Sequence, residues 1–232
     1  ALVQTNEVGR SVAWMVAAAS ELGGAPFHLV ELGASAGLNL AGDHVPQACR
    51  FVPEGAAPAG WNRRPQPVLT RAGLDLHPLH LEHAEDRLWL KACVWADDAA
   101  RLARLDEAMD AFLSVRPRIE LRRCSFDGAP QWLLAHRRPA HGEALLVFNS
   151  IGTVYLDDDA YGRLARGMAR ALAPWQGRAI WVEYERPRDA PEAPLEIAVR
   201  RPAAGGLETT VIATGAPRPT ELRMKEASCR SG

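Results

Sequence analysis

At 232 residues with 47% hydrophobic side chains, the chain can bury a full core, so one medium-sized domain over 1–232 is expected and nothing suggests a fibre or disorder. Lys and Arg number 27 against 28 Asp and Glu, a formal charge of -1, which leaves no basic surplus for a phosphate backbone or an anionic membrane; nucleic acid is not the expected partner. Cys49, Cys93, Cys124 and Cys229 stand far apart with no C-x-x-C, which argues against a zinc ribbon or a disulfide framework and fits a reducing cytoplasm, and no apolar run reaches transmembrane length.

The chain begins at Ala1 without Met and enters a helical pattern almost at once, as a piece of a longer chain would. Thr5 is placed to cap a first helix within 1–26, in which Val8, Val12, Met15, Val16 and Ala19 recur at helical spacing before Gly23-Gly24. The polar start, Asn6, Glu7 and Arg10, is either a solvated cap or part of a ligand pocket. Phe27 to Leu32 then reads as a buried parallel strand. It ends on an acid, Glu31, and breaks into the small-residue turn Gly33-Ala34-Ser35-Ala36-Gly37, after which a helix is expected to aim its free N–H groups at a ligand.

From Ala41 to Pro67, five prolines together with Gly55 and Gly60 rule out a long helix. This insertion, 42–67, reads as a functional lid or a floppy excursion. Val68 to Leu76 is a second strand with Asp75 near its tip. Its carboxylate is placed either to accept from ribose hydroxyls or to form a turn before Pro78. His77, His80 and His83 invite a metal reading. On a helix the outer two would lie about 600° apart and off one face, Pro78 disrupts the start, and no H-E-x-x-H follows; they read as loop histidines, with no metal.

Ala84 to Val115 is expected as two helices broken near Ala96-Asp97-Asp98, the second carrying an apolar stripe of Leu102, Leu105, Met109 and Phe112. Arg118 to Phe126 is a third strand running out through Ser125 and Asp127. Leu145 to Ser150 is a fourth, apolar until Asn149 and Ser150. Asp157-Asp158-Asp159 opens a helix to about Ala173, Ala179 to Glu185 is a fifth strand, and Leu195–Arg200 with Leu207–Ala213 forms a closing antiparallel hairpin. The tail from Thr214 carries no clear signal.

Strands alternating with helices give an α/β sandwich with a mainly parallel sheet. Ligands of such sheets bind outside the carboxyl ends of the strands, where Glu31, Gly33, Asp75, Ser125, Asp127, Asn149 and Ser150 all fall. That placement favours a nucleoside-type ligand spread along the sheet edge.

Three motifs compete for the turn after the first strand. The dinucleotide fingerprint G-x-G-x-x-G would need glycine at 35 and a small residue at 38, where Ser35 and Leu38 stand. The nucleophile elbow G-x-S-x-G is met letter for letter by Gly33 to Gly37, which would make Ser35 the nucleophile of an α/β-hydrolase-type esterase. Against it, such an elbow normally follows several strands, and the histidine of the required Ser, acid, His order would have to come late, whereas the last histidine is His141. The third motif, acid-x-Gly-x-Gly-x-Gly of class I S-adenosylmethionine (SAM) methyltransferases, resembles Glu31-x-Gly33-x-Ser35-x-Gly37 with Ser in the middle position.

Several separated motifs agree in order: Thr5-Asn6-Glu7-Val8-x-Arg10, Glu31 to Leu40, Arg71-x-Gly73-x-Asp75-Leu76-x-Pro78-Leu79 and Glu85-Asp86-Arg87-Leu88. Together they resemble an uncharacterised bacterial domain-of-unknown-function family whose members look like class I SAM methyltransferases. The likeness spans Thr5 to about Tyr155 and fades past Glu185. It implies a Rossmann-like three-layer sandwich, SAM as cofactor and a small-molecule methyl acceptor. By that resemblance Glu31 holds the methionine amino group and Gly33, Ala34, Ser35 and Gly37 pass beneath methionine and ribose. Asp75 holds the ribose hydroxyls, Ser125 to Asp127 face the adenine, and Asn149 touches the acceptor. A third possibility is a nucleoside-binding module on the same scaffold without transfer chemistry.

Overall fold

The computed structural model describes residues 6–95 and 97–225. Thr5, read as a helix cap, and Cys229 lie outside the described residues. A 3-10 turn over Val8–Ser11 leads into helix α1, Val12–Glu21. The strand expected next is β1, Phe27–Leu32, followed by the small-residue turn, and the insertion carries a three-residue strand β2, Arg50–Val52. Then come β3 (Val68–Asp75), α2 (Ala84–Ala92), α3 (Ala99–Val115), β4 (Ile119–Arg123), α4 (Ala129–His136) and β5 (Ala144–Ser150). The chain closes with α5 (Asp158–Leu172), β6 (Ala179–Glu185), β7 (Leu195–Ala203), β8 (Gly206–Gly215) and β9 (Glu221–Met224).

The caps read from the sequence explain where two helices begin. The Asp98 carboxylate accepts from the Arg101 N–H at 3.0 Å, and that of Asp157 accepts from the Ala160 N–H at 2.7 Å, each satisfying an orphan amide of the first turn.

All nine strands form one sheet in the order β2-β9-β8-β7-β6-β5-β1-β3-β4. The five strands β4-β3-β1-β5-β6 run parallel, and β7 and β8 continue as the antiparallel hairpin expected from the sequence. From β1 the chain winds outward through β3 to β4, then returns to the other side of β1 with β5 and β6. The order reverses between β1 and β5, which opens a crevice at their carboxyl ends.

The central parallel strands β1, β5 and β6 are covered on both faces. Leu29, Leu146, Phe148, Ile180 and Val182 pack with α1 and α3 on one side; Val30, Leu32, Leu145, Val147 and Trp181 pack with α4 and α5 on the other. This period-two division explains why the strands read as unbroken apolar runs. Helix α1 is buried around its whole circumference from Val12 to Ala18, where the sequence suggested a one-sided stripe, because it is also covered by the segment after β1.

Two expectations are corrected. The turn after β1 enters a seven-residue 3-10 helix, Leu38–His44, and not an α-helix. That segment lies against the N-terminal turn so closely that a Cβ on Gly42 would meet the Ser11 Oγ at 2.1 Å. The insertion 42–67 is neither lid nor loose loop. Its strand β2 pairs in parallel with β9 at the far edge of the sheet, and the Phe51 and Trp61 rings pack at a tilt with centroids 4.8 Å apart. Its base is locked by Asp43, fully buried, which takes two hydrogen bonds from the Arg71 guanidinium (2.6 and 2.9 Å) and one from the Gln66 N–H (2.9 Å). Among the described residues no helix is long and apolar enough to cross a membrane.

Candidate functional site

A cavity of about 210 Å³ occupies the crevice between the carboxyl ends of β1, β3, β4 and β5. Its walls include Glu31, Gly33, Ala34 and Ser35 after β1, Asp75 and His77 after β3, Ser125 and Phe126 after β4, and Ser150 to Gly152 after β5. Asn6 and Arg10 reach it from the N-terminal segment. The sheet topology thus gathers residues spread over most of the chain at the place where doubly wound sheets bind ligands.

The turn is held by its own backbone. Gly33 and Ala34 donate to the Leu74 carbonyl (2.8 and 3.2 Å), Gly37 donates to the Ala34 carbonyl (2.7 Å) and Leu40 to that of Gly37 (3.0 Å). The amides of Gly33, Ala34, Gly37 and Leu40 are therefore already used. What the turn contributes is closeness: at Gly33, with φ of 71°, a Cβ would lie 3.4 Å from the Phe126 ring. Gly37 shapes the turn without lining the cavity; its φ is 74° and a Cβ there would meet Leu121 at 2.9 Å.

Ser35 has φ of 51°, the left-handed conformation that glycine adopts without strain. The methyltransferase motif places glycine at this position, while a nucleophile elbow also strains its serine, so this angle serves both readings. The side chain separates them better. Asn6 Nδ2 donates to Ser35 Oγ at 3.1 Å, and the acid that follows, Asp75, holds Ser35 through the backbone N–H at 2.7 Å. The second oxygen of Asp75 accepts from the His77 N–H at 2.8 Å. Its carboxylate is thereby fixed in orientation with lone pairs remaining for a ligand.

Glu31 sits on the cavity floor, 2% exposed. Asn39 Nδ2 donates to its Oε1 at 2.8 Å, while Oε2 and the Asn39 Oδ1 are buried with no hydrogen-bond partner among the described residues. Burial raises the Glu31 carboxyl to about 8; the Asn39 hydrogen bond opposes this, the Asp75 charge adds to it, and Arg10 works against it. Two unpartnered acceptor oxygens at the base of a pocket are what a donor-bearing ligand group would satisfy. Burial also lowers the Arg10 guanidinium from its ordinary value against the opposing charge of Glu7, and its Nε donates to the Pro217 carbonyl at 3.0 Å.

Three residues proposed for the site lie elsewhere. Asn149 has no exposed surface. Its Nδ2 donates to Glu185 at 2.8 Å and its Oδ1 accepts from the Trp181 indole at 2.6 Å, so it is a satisfied strand-end amide and not an acceptor contact. Asp127 points outward, with Arg163 3.7 Å away. Glu7 is buried beside Arg101 at 3.6 Å and ties the N-terminal segment to α3. Sequence reasoning passed over Asn39, Ile151, Gly152 and Tyr155, of which Asn39 had a legible signal, an amide between the apolar Leu38 and Leu40. His77 reaches the cavity, while the His80 and His83 rings meet at a tilt with centroids 5.9 Å apart. Among the described residues no group of three or more His, Cys, Asp or Glu is placed to hold a metal ion.

The protein is a mixed α/β protein with a mostly parallel sheet and a polar-floored cavity at its switch point. The model of the family described as "Uncharacterized protein conserved in bacteria (DUF2332)" matches residues 1–225, and the chain belongs to that family. The match runs through the C-terminal hairpin, well past Tyr155, where the motif likeness was placed. No curated protein matches the chain.

Proposed function

We propose that the protein binds SAM in this cavity and is a methyltransferase of the class I, Rossmann-like type acting on a small molecule. The observation that carries the reading is the pair of acids at adjacent strand ends: Glu31 on β1, with an unpartnered oxygen, and Asp75 on β3, with its carboxylate oriented, both lining one cavity beneath a close turn. The donor set fits an amino-acid nucleoside. Glu31 with Asn39 would take the ammonium, Asp75 the ribose hydroxyls, and Phe126 and Ser125 the base. At about 210 Å³ the cavity is smaller than the ~300–1,000 Å³ of usual ligand sites, so such a ligand fills it and extends along the open edge.

When bound, SAM supplies an electrophilic sulfonium methyl group. The protein's own residues bind and orient: rigid anchoring at Glu31 and Asp75 sets the geometry from which an in-line transfer gains its rate. A cytoplasmic setting suits Cys49, Cys93 and Cys124, which are all free thiols. A thermal-shift titration with SAM and S-adenosylhomocysteine (SAH) tests the reading. A rise in melting temperature is expected through linkage, and a flat response at millimolar ligand would count heavily against it.

A further inference from the structure

A second cavity, of about 500 Å³, opens beside the first and is lined by Ile151, Val154, Glu185, Pro187, Leu195 and Pro217 among others. Ile151 lines both, and Arg10 of the first cavity is bonded to the carbonyl of Pro217 in the second. The two meet at Gly152, where a Cβ would lie 3.1 Å from the Phe126 ring and 4.0 Å from Glu185 Oε1. At the mouths, Val154 and Tyr155 are 61% and 75% exposed on the short turn that joins the two spaces.

Glu185, whose charge bears on Arg10, puts a carboxylate oxygen without a donor into this space, which Arg186 and Arg188 also line. Its Oε1 is saturated by the Asn149 amide (2.8 Å) and the N–H groups of Gly152 (2.7 Å) and Thr153 (3.0 Å). Among the described residues nothing donates to Oε2. The arginines alongside are committed: Arg188 to Asp158 Oδ1 (2.7 Å) and the Leu156 carbonyl (2.8 Å), and Arg186 to the Ala193 carbonyl. Burial pushes the Glu185 carboxyl up, and the Glu183 charge adds to it. A carboxylate of this kind, walled by proline and aliphatic groups, selects a cation with an apolar body.

We propose that the second cavity is the acceptor half of the cleft and takes an apolar molecule bearing a primary amine, its nitrogen held by Glu185 Oε2. The acceptor role rests on the SAM reading of the first cavity; the amine site does not. In the transfer, the entering ammonium gives one proton to Glu185, and the freed lone pair forms the N–C bond as the S–C bond breaks. The sulfonium leaves as a neutral thioether, the product is a secondary ammonium, and Glu185 returns its proton to solvent.

Calorimetric titration of 2-phenylethylamine, with 3-phenylpropionate as anionic control, tests this in wild type, Glu185→Gln and Val154→Arg, with SAH titrated separately into each. Val154 is exposed, so its replacement leaves the core intact while setting a cation at the mouth. Saturable millimolar amine binding is expected in wild type, weakened about tenfold or more in both variants, with no binding of the anion and SAH affinity unchanged within about threefold. Absent amine binding, equal affinity in all three proteins, or equal binding of the anion would overturn the proposal. Amine binding without SAH binding would uphold the amine site and remove its acceptor role.

Discussion

Glu31 carries the sharpest single-residue consequence. Its carboxyl stands at about 8 in the folded protein against an ordinary 4.5, so between those values the folded state keeps a proton that the unfolded chain has released. The stability this lends is complete below about 4.5 and is lost as pH rises through about 8. Glu31→Gln mimics the protonated form and still accepts from Asn39. We predict that it matches wild type near pH 4 and exceeds it by roughly 2 to 5 kcal/mol near pH 9, read by urea denaturation at both values. A parallel pH dependence in the two proteins would refute the burial argument. For Ser35, bonded to Asn6 through its hydroxyl, no labelling by a fluorophosphonate is expected, and Ser35→Ala should cost less than roughly 1 kcal/mol of SAH affinity, the worth of one neutral hydrogen bond. Stoichiometric labelling at Ser35 would restore the hydrolase reading.

At the scale of elements, the insertion shows how a local reading can miss a tertiary bond. Its prolines and glycines correctly excluded a helix, yet nothing in that stretch announces that Asp43 will be met by Arg71 from β3, or that Arg50–Val52 will find β9 more than a hundred and sixty residues later. Both depend on chain segments distant in sequence. The motif residues Arg71 and Asp86 prove to hold backbone and loop in place: Asp86 accepts from the His80 N–H at 2.7 Å, fixing the stretch before α2. Since Asp43 and Arg71 are 0% and 5% exposed at their side chains, removing one strands the other. Asp43→Ala should lower stability by roughly 3 to 5 kcal/mol in chemical denaturation, with SAH binding retained in the folded fraction, because the insertion does not line the cavity. A loss under roughly 1 kcal/mol would show the pair to be dispensable.

Across the whole molecule, the centre of the parallel sheet was legible because its strands are largely apolar with polar residues near their carboxyl ends, as Leu145 to Ser150 and Phe27 to Leu32 show. The candidate site was legible in part. Glu31, Ser35, Asp75, Ser125 and Ser150 are brought to one cavity, together with Asn6 and Arg10. Asn149 and Asp127 stand beside cavity residues in the sequence but turn away: Asn149 because alternate residues of β5 face opposite sides, and Asp127 because it lies in the turn between β4 and α4, toward Arg163. Helix α4, the strands β2 and β9, and the 3-10 form of the segment after the turn escaped because each is short and set by packing rather than by its own period.

The account stands on Glu31 and Asp75 acting together on one ligand. Titration calorimetry of SAH at pH 7, in two buffers of different ionisation enthalpy, tests this most directly. The account predicts saturable one-to-one binding with release of up to about one proton, as a bound ammonium turns Glu31 from acid to carboxylate, and a loss of roughly 1 to 3 kcal/mol of affinity in Asp75→Ala. No saturable heat at millimolar SAH, or binding that takes up protons and is indifferent to Asp75→Ala, would contradict it.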